Sequence, residues 1–169
     1  MNARIILFAT DFSPQSDFAL TWATSLARDT HAKLIILHVE QIGVPYGGGE
    51  IYSEYVLGYQ SDSIKKRLEK MRPADSQVRC SHRMATGKPA IEIIRVAEEV
   101  GADMIVMSTH GRSGLPRMLM GSVAEDVVRH AHCLVVVVKQ PHATSRDRVA
   151  EERIEHDVGV ENLIVQNGQ

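Results

Sequence analysis

Glycine and arginine residues are interleaved in one segment in the second half of the chain, which reads STHGRSGLPRMLMGSVAEDVV. Gly111, Gly114 and Gly121 carry no side chain, so the backbone there can approach a ligand closely. Arg112 and Arg117 add positive charge beside these glycines. The segment connects an apolar run to a helical pattern, and a helix N-terminus presents unpaired N–H donors with a partial positive charge. These residue types at this position predict a cradle for an anion such as a phosphate group.

The spacing within the segment indicates how large a ligand it could enclose. Nine residues separate Gly111 from Gly121, which is enough chain to arch over a triphosphate. Ser122 can act as a helix cap, as a phosphate ligand through its hydroxyl, or as both. The two arginines are as consistent with solvated surface charges as with phosphate clamps. His110 is compatible with a general base or with a binding group.

Two common nucleotide-binding motifs are absent from the sequence. The only Gly-Lys pair, Gly87-Lys88, is followed by Pro89, so the chain has no GxxxxGK[ST] loop. The turn after the first apolar run reads ATDFSPQS, which is not a GxGxxG motif. Asp11 lies in that turn and can either accept hydrogen bonds from an adenosine group or only shape the turn before a helix cap. A P-loop NTPase and a Rossmann-type dinucleotide-binding protein are therefore disfavoured.

Five strands are predicted around this segment. Four of them are short, continuously apolar runs, which is typical of strands buried on both faces of a parallel sheet. These four runs cover 4–9, 33–39, 103–108 and 133–139. The fifth, over 76–86, alternates apolar and polar residues, as expected of a more exposed strand at a sheet edge.

A first helix is predicted directly after the first strand. Ser13 is its expected N-cap and Pro14 its first residue. Its apolar residues form a broad face that is expected to cover the sheet. That face consists of Phe18, Leu20, Trp22, Ala23, Leu26 and Ala27.

Three further helical patterns lie between the other strands. A weaker one covers 50–71, and a stronger one covers 89–101, beginning at a proline and ending at a glycine. The last follows the glycine-rich segment, with Ser122 as the expected cap and Glu125 in the capping-box position. Strands and helices therefore alternate, which predicts a doubly wound α/β fold with a parallel sheet and helices on both faces.

The overall composition excludes several classes of protein. A length of 169 residues with 44% hydrophobic residues suits one globular domain with a full core. The formal net charge of −2 gives no global positive field that would recruit nucleic acid or an acidic membrane. Cys80 and Cys133 form no CxxC motif and fit a reducing compartment. No apolar run is long enough for a signal peptide or a membrane span, so we expect a cytoplasmic protein.

The chain resembles the universal stress protein family over about residues 3–139. The resemblance is carried by ILFATDFS, LIILHV, TGKPAIEII, ADMIVMSTHGRSGL and GSVAEDVVRHAHCLVVVVK, in that order. The nucleotide-binding branch of the family has glycine, two residues, glycine, nine residues, and then glycine with serine or threonine. Gly111, Gly121 and Ser122 match this pattern, whereas Ser108 replaces the first glycine. Ser108 keeps a backbone N–H and a small side chain, so a ribose or phosphate can still approach it with slightly less room.

This resemblance implies a fold, a ligand and a site. The implied fold is a five-stranded parallel sheet of order 3-2-1-4-5, and the implied ligand is ATP with Mg²⁺ or Mn²⁺ on the phosphates. Four residues are expected around adenosine and eight around ribose and phosphates. The first group is Ala9, Thr10, Asp11 and Val39, and the second is Ser108, Thr109, His110, Gly111, Arg112, Gly121, Ser122 and Val123.

The resemblance also implies a homodimer joined through the last strand, over 133–139. An apolar edge of this kind is an aggregation hazard if left bare, which independently favours pairing between subunits. We expect the domain to occupy 1–139. The remainder, 140–169, is either a solvated tail, which we favour, or an arm with a short helix and strand that docks on a partner subunit.

Three functions are compatible with these expectations. The first is a nucleotide-dependent stress-response module whose ATP-bound surface is read by a downstream partner. The second is a slow ATPase or phosphotransferase that uses His110 or Asp11, for which Asp11→Ala would abolish metal-dependent turnover. The third is a dimeric interaction protein that binds no nucleotide, in which the glycines serve only tight packing.

Overall fold

Nine elements make up the fold in the computed structural model, which describes residues 3–41, 62–109 and 120–141. The helix labelled α2 is given as far as it is described. The elements in chain order are β1 (Ile5–Thr10), α1 (Pro14–Thr30), β2 (Lys33–Glu40), α2 (62–70), β3 (Cys80–Thr86), α3 (Pro89–Val100), β4 (Met104–Ser108), α4 (Ser122–His130) and β5 (Leu134–Val138).

The strands form one parallel sheet of order β3-β2-β1-β4-β5. Core residues of α1 and α2 pack on one face of this sheet, and core residues of α3 and α4 pack on the other. The predicted α/β architecture, its order 3-2-1-4-5 and the helices on both faces are thereby confirmed. Within the described ranges, no helix is long and apolar enough to cross a membrane.

The four apolar runs are strands whose ends differ from the prediction by at most one residue. The fifth strand is shorter than predicted and begins at Cys80 rather than at residue 76. Asp75 explains the difference, because its backbone and side-chain oxygens accept the N–H groups of Val78 and Gln77 at 3.2 and 2.9 Å and so form a turn. Among the strands of the described residues, β3 pairs with β2 alone and stands at the end of the sheet order, as predicted for an edge strand.

The first helix begins as predicted, and one residue of its predicted apolar face is exposed. Ser13 is the N-cap and Pro14 the first residue. Trp22, however, is 53% exposed, so placing it on the buried face was wrong. The centre of the buried face is Ala19 with the predicted Ala23 and Ala27, which repeat every four residues. The other predicted residues, Phe18, Leu20 and Leu26, are partly buried and pack against the same core cluster. Because alanine is small, the row of alanines allows the helix to lie close to the sheet, and the large neighbouring ring is left in solvent.

The start of β1 is fixed by a carboxylate from the turn before β4. Asp103 Oδ2 accepts the backbone N–H groups of Arg4 at 2.8 Å and Ile5 at 3.0 Å. Both hydrogen bonds favour the charged form and lower the pKa of the Asp103 carboxyl below its ordinary value of 3.8. The bond from Arg4 has the larger effect and the bond from Ile5 the next. The carboxylate therefore contributes to stability only while it is ionised.

We expect Asp103→Asn to lower the free energy of unfolding at pH 7 and to matter progressively less as the pH falls. A carboxyl whose folded-state pKa is depressed stabilises the fold above its unfolded pKa, and this contribution disappears as the pH falls through the folded-state pKa. Urea unfolding at pH 7 and at pH 3 measures the difference. Asp29→Asn is the control, because it breaks only an exposed pair with Arg28 and should change stability at pH 7 by less than about 1 kcal/mol. An Asp103→Asn effect that is equal at both pH values would contradict the expectation.

Candidate functional site

A cavity of about 560 Å³ opens at the carboxyl ends of β1, β2 and β4. This is where the strand order reverses, since β1 lies between β2 and β4, and open α/β sheets bind ligands at such a point. Nine of the twelve residues predicted for the site line this cavity. They are Ala9, Thr10, Asp11, Val39, Ser108, Thr109, Gly121, Ser122 and Val123. The other three, His110, Gly111 and Arg112, lie outside the described residues, as do Gly114 and Arg117.

The turn between β1 and α1 is built by short polar side chains. Asp11 Oδ1 accepts the backbone N–H of Ser13 at 3.0 Å and its hydroxyl at 2.6 Å. Ser13 Oγ in turn accepts the N–H of Ser16 at 3.2 Å and so caps α1. Asp11 therefore has the turn-forming role considered from the sequence, and it also lines the cavity.

Thr10 ties this turn to the end of β2. Its Oγ1 lies 2.9 Å from Ser16 Oγ and accepts the N–H of Phe12 at 3.0 Å. Its carbonyl oxygen lies 2.8 Å from Nδ1 of His38, which is buried. A carbonyl can only accept, so Nδ1 carries the proton in this contact. The ends of β1 and β2 are thereby held together at the cavity wall.

Phe12 and Arg67 are two residues of this region that the sequence analysis missed. Phe12 has a positive φ of 63°, and its ring centroid lies 4.4 Å from that of His38. The Arg67 guanidinium carbon lies 4.6 Å from the Phe12 centroid. No signal in the sequence marks these contacts, because Arg67 is 55 residues further along the chain.

The cavity walls also contain residues that the sequence analysis did not select. Glu40 and Gln41 lie at the end of β2, so their edge position could have been inferred from the strand prediction. Ile64 from α2 and Ile93 from α3 close the sides. Their contribution depends on how the helices pack and has no local signature in the sequence.

The opposite end of the cavity is formed by the start of α4. Thr109 connects this helix to the sheet, because its N–H donates to Val138 O at 3.0 Å and its carbonyl accepts the N–H of Gly121 at 2.8 Å. Gly121 is the N-cap, and its carbonyl accepts the N–H of Glu125 at 3.0 Å. Because glycine has no side chain, the N–H groups in the first turn of α4 donate no hydrogen bond to a capping side chain.

The predicted cap of α4 was therefore wrong by one residue. Ser122 is the first helical residue rather than the cap, and Glu125 is one position too far along to complete a capping box. Glu125 instead pairs with Arg129 at 2.9 Å on the exposed face of the helix. The physical reason is the Gly121 carbonyl, which already makes the first helical hydrogen bond. Ser122 remains a lining residue of the cavity.

These parts give the cavity two chemically different ends. Apolar side chains such as Leu37, Val39 and Ile93 line the side near β2 and α3. The N-terminus of α4 brings a partial positive charge and N–H donors to the other side. In the described part of the chain, no three His, Cys, Asp or Glu residues are grouped as metal ligands. The arrangement fits a ligand with a flat, weakly polar part and an anionic part.

Comparisons with known proteins agree in family and fold. The model of the universal stress protein family matches residues 2–139. Universal stress protein MJ0531 of Methanocaldococcus jannaschii is 38% identical over 141 residues, which cover 80% of this chain and 82% of that protein. The structure of protein MJ0577 from the same organism superposes with a TM-score of 0.74 at 28% identity, covering 84% of this chain and 99% of that one. A universal stress protein solved in complex with cAMP superposes with a TM-score of 0.54 at 27% identity, covering 82% and 98%.

Proposed function

The chain belongs to the universal stress protein family, and on that basis we propose that it binds ATP in the cavity between β1, β2 and β4 as a nucleotide-dependent stress-response module. The observation that carries the proposal is the N-terminus of α4, which has no side-chain cap hydrogen bond and lines the same cavity as the ends of β1 and β2. An adenine nucleotide has the required combination of a flat base and an anionic tail. The related protein solved with cAMP supports an adenine nucleotide in particular.

The size and polarity of the cavity fit such a ligand. Its volume of about 560 Å³ lies in the range of small-molecule sites, roughly 300 to 1,000 Å³. In the proposed arrangement, Ala9, Thr10, Asp11 and Val39 surround adenosine. The phosphate end lies against Gly121, Ser122 and Val123, where backbone N–H groups can donate to oxygen anions. Ser108 and Thr109, both buried at the end of β4, lie between the two groups.

Mg²⁺ or Mn²⁺ would be held mainly by the phosphates of the bound nucleotide. Asp11 and Glu40 are the carboxylate residues among the described lining residues, and Mg²⁺ in nucleotide sites is commonly bound through one or two carboxylates together with phosphate oxygens. The ion would neutralise charge on the phosphates. We propose a binding role for the site, in the cytoplasm, with the nucleotide-bound surface recognised by a downstream protein.

Calorimetric titration of the full chain with ATP and Mg²⁺ tests the proposal. We expect saturable binding of one ATP per chain, with AMP and metal-free ATP as comparisons and GTP as the test of base preference. Release of inorganic phosphate measured on the same samples separates binding from turnover. Absence of heat with every adenine nucleotide, in protein shown to be folded and free of copurified nucleotide, would refute the proposal and leave the nucleotide-free interaction protein.

We also propose that two chains pair through β5 to form a homodimer. β5 is an edge strand, and Leu134 at its start is 42% exposed in the single chain. The N–H and C=O groups on the free side of an edge strand can pair with a second copy. We further propose that the domain comprises 1–139 and that 140–169 is a tail, most of which lies outside the described residues.

Leu134→Lys is expected to raise the dimer dissociation constant at least about tenfold, because a two-fold interface contains each substitution twice and brings like charges together. Sedimentation velocity over a concentration series measures the change. Ile91→Lys is the matched control, since Ile91 is 58% exposed on α3, a helix that packs against β2, β1 and β3. Equal dissociation of both variants, or none in Leu134→Lys, would contradict pairing through β5.

A further inference from the structure

Beside the proposed nucleotide cavity, Phe12 is held in a backbone conformation that aromatic residues rarely adopt. Its φ is 63°, in the left-handed region, and its side chain is buried. A bulky residue remains in this region only when its surroundings hold it there. Phe12 directly follows Asp11, which lines the cavity, and directly precedes Ser13, which caps α1. The contacts that hold Phe12 therefore also set the position of Asp11.

Phe12 is held from the sheet side and from the solvent side. On the sheet side, its N–H donates to Thr10 Oγ1 at 3.0 Å, and its ring lies 4.4 Å from the His38 ring. On the solvent side, Arg67 makes two contacts at once. Its guanidinium carbon lies 4.6 Å from the ring centroid, and its Nη2 donates to the Phe12 carbonyl at 3.1 Å. Arg67 thus adds a cation–π contact and a hydrogen bond from α2.

The helix that carries Arg67 also forms part of the cavity wall. Ile64, three residues earlier on α2, lines the cavity. Leu68, the next residue, is 2% exposed and anchors the helix in the core. One helix therefore contributes an apolar wall through Ile64 and holds the β1–α1 turn through Arg67, although Arg67 itself is not among the lining residues.

From this geometry we infer that Arg67 is a positioning residue of the adenine-nucleotide site, which acts by fixing Phe12 and through it Asp11. The inference rests on the proposed function, because it concerns the same cavity. Its chemistry is specific to arginine. A planar guanidinium can lie over an aromatic face while one of its N–H groups donates to a carbonyl, whereas the compact ammonium of lysine does not present the same planar set of donors.

Arg67→Lys and Arg67→Met are the variants that test the inference, each titrated with adenosine and with ATP. We expect both variants to bind both ligands more weakly. Arg67→Met loses the cation–π contact and the hydrogen bond, so the β1–α1 turn occupies its binding position for a smaller fraction of the time and the affinity should fall about five- to tenfold. Adenosine carries no charge, so its weaker binding cannot arise from lost attraction between Arg67 and phosphate. A loss confined to ATP and to Arg67→Met would assign a purely electrostatic role and overturn the inference.

Arg72→Met is the matched control. Arg72 donates to the carbonyls of Glu69 and Met71 at the end of α2, so its removal weakens the same helix without touching Phe12. We expect this variant to bind both ligands like the wild type. Amide hydrogen exchange without ligand gives a second measurement. The N–H groups of Phe12 and Ser13 should exchange faster in Arg67→Met and at the wild-type rate in Arg72→Met.

The experiments distinguish a failure of the role inferred for Arg67 from a failure of the proposed nucleotide site. Wild-type affinity in Arg67→Met, or an equal loss in Arg72→Met, would overturn the role of Arg67 while the nucleotide site stands. A wild-type protein that binds neither adenosine nor ATP would overturn the proposed function, and the positioning role with it. In that case faster exchange at Phe12 and Ser13 would still assign Arg67 to the β1–α1 turn alone.

Discussion

Gly121→Val is expected to abolish measurable ATP binding, with a loss of affinity of at least about 100-fold. Gly121 is the N-cap of α4 and lines the cavity where the phosphates are proposed to lie. A valine side chain there places three carbon atoms in front of the first-turn N–H groups. Hydrogen bonds to charged groups contribute about 1.5 to 3 kcal/mol each, so blocking two of them is sufficient for this loss.

The same substitution should leave the fold largely intact. Gly121 has φ −73° and ψ 153°, an extended conformation that valine adopts readily, so the backbone is not strained. Valine is a poorer N-cap than glycine, which we expect to lower stability by about 1 kcal/mol. Calorimetric titration with ATP and Mg²⁺, together with urea unfolding of the same protein, measures both effects.

Gly101→Val is the matched control for this experiment. Gly101 caps the end of α3 with a positive φ of 63°, and a Cβ added there would meet no atom within 4 Å. The substitution therefore costs stability, about 1 to 2 kcal/mol, through the backbone conformation alone. Gly101 does not line the cavity, so ATP should bind as in the wild type. Equal loss of binding in both variants, or none in Gly121→Val, would contradict a phosphate site at α4.

Most of the architecture could be predicted because it depends on local patterns. Continuous apolar runs require burial on both faces, and this alone indicates a parallel sheet covered by helices. The ends of helices also depend on local sequence. Ser13 with Pro14 defines the start of α1, and Gly101 defines the end of α3, because each residue type suits the backbone at its position. The strand order is not encoded locally and came from the family resemblance.

The predictions that were wrong concern positions that depend on contacts between distant parts of the chain. Trp22 fits an apolar helical face, but the row of small residues around Ala23 brings α1 close to the sheet and leaves the Trp22 ring 53% exposed. Ser122 is a good cap by residue type, yet Thr109 O holds the N–H of Gly121 and places the cap one residue earlier. Such competition between a local preference and a long-range hydrogen bond cannot be read from one segment.

The candidate site was predictable to a similar degree. Because the carboxyl ends of parallel strands share one edge of the sheet, Asp11, Val39 and Ser108 had to meet once the strands were known. Ile64 and Arg67 were not predictable, because the packing direction of α2 is not encoded near β1, and Arg67 lies 55 residues along the chain from Phe12. The side walls and supports of the site therefore needed the structure.

Because Phe12 has a positive φ, we expect the glycine variant at this position to be more stable than the alanine variant, which reverses the usual order of stability. Phe12→Ala should lower the free energy of unfolding by about 3 to 5 kcal/mol, because it removes a buried ring. Alanine still bears the cost of a positive φ, about 1 to 2 kcal/mol, whereas glycine does not. Phe12→Gly is therefore expected to be about 1 kcal/mol more stable than Phe12→Ala.

Phe8 provides the matched comparison, because it is the same residue type and lies in β1, the strand that precedes the turn of Phe12. It is fully buried in the middle of β1, where the backbone is extended. Glycine in a strand interior is less stable than alanine by about 0.5 to 1 kcal/mol, so Phe8→Gly should unfold more easily than Phe8→Ala. Urea unfolding of the four variants, followed by circular dichroism, gives both differences. If glycine is the less stable variant at both positions, the strained turn that places Asp11 at the cavity is not maintained in solution, and the support attributed to Arg67 loses its basis.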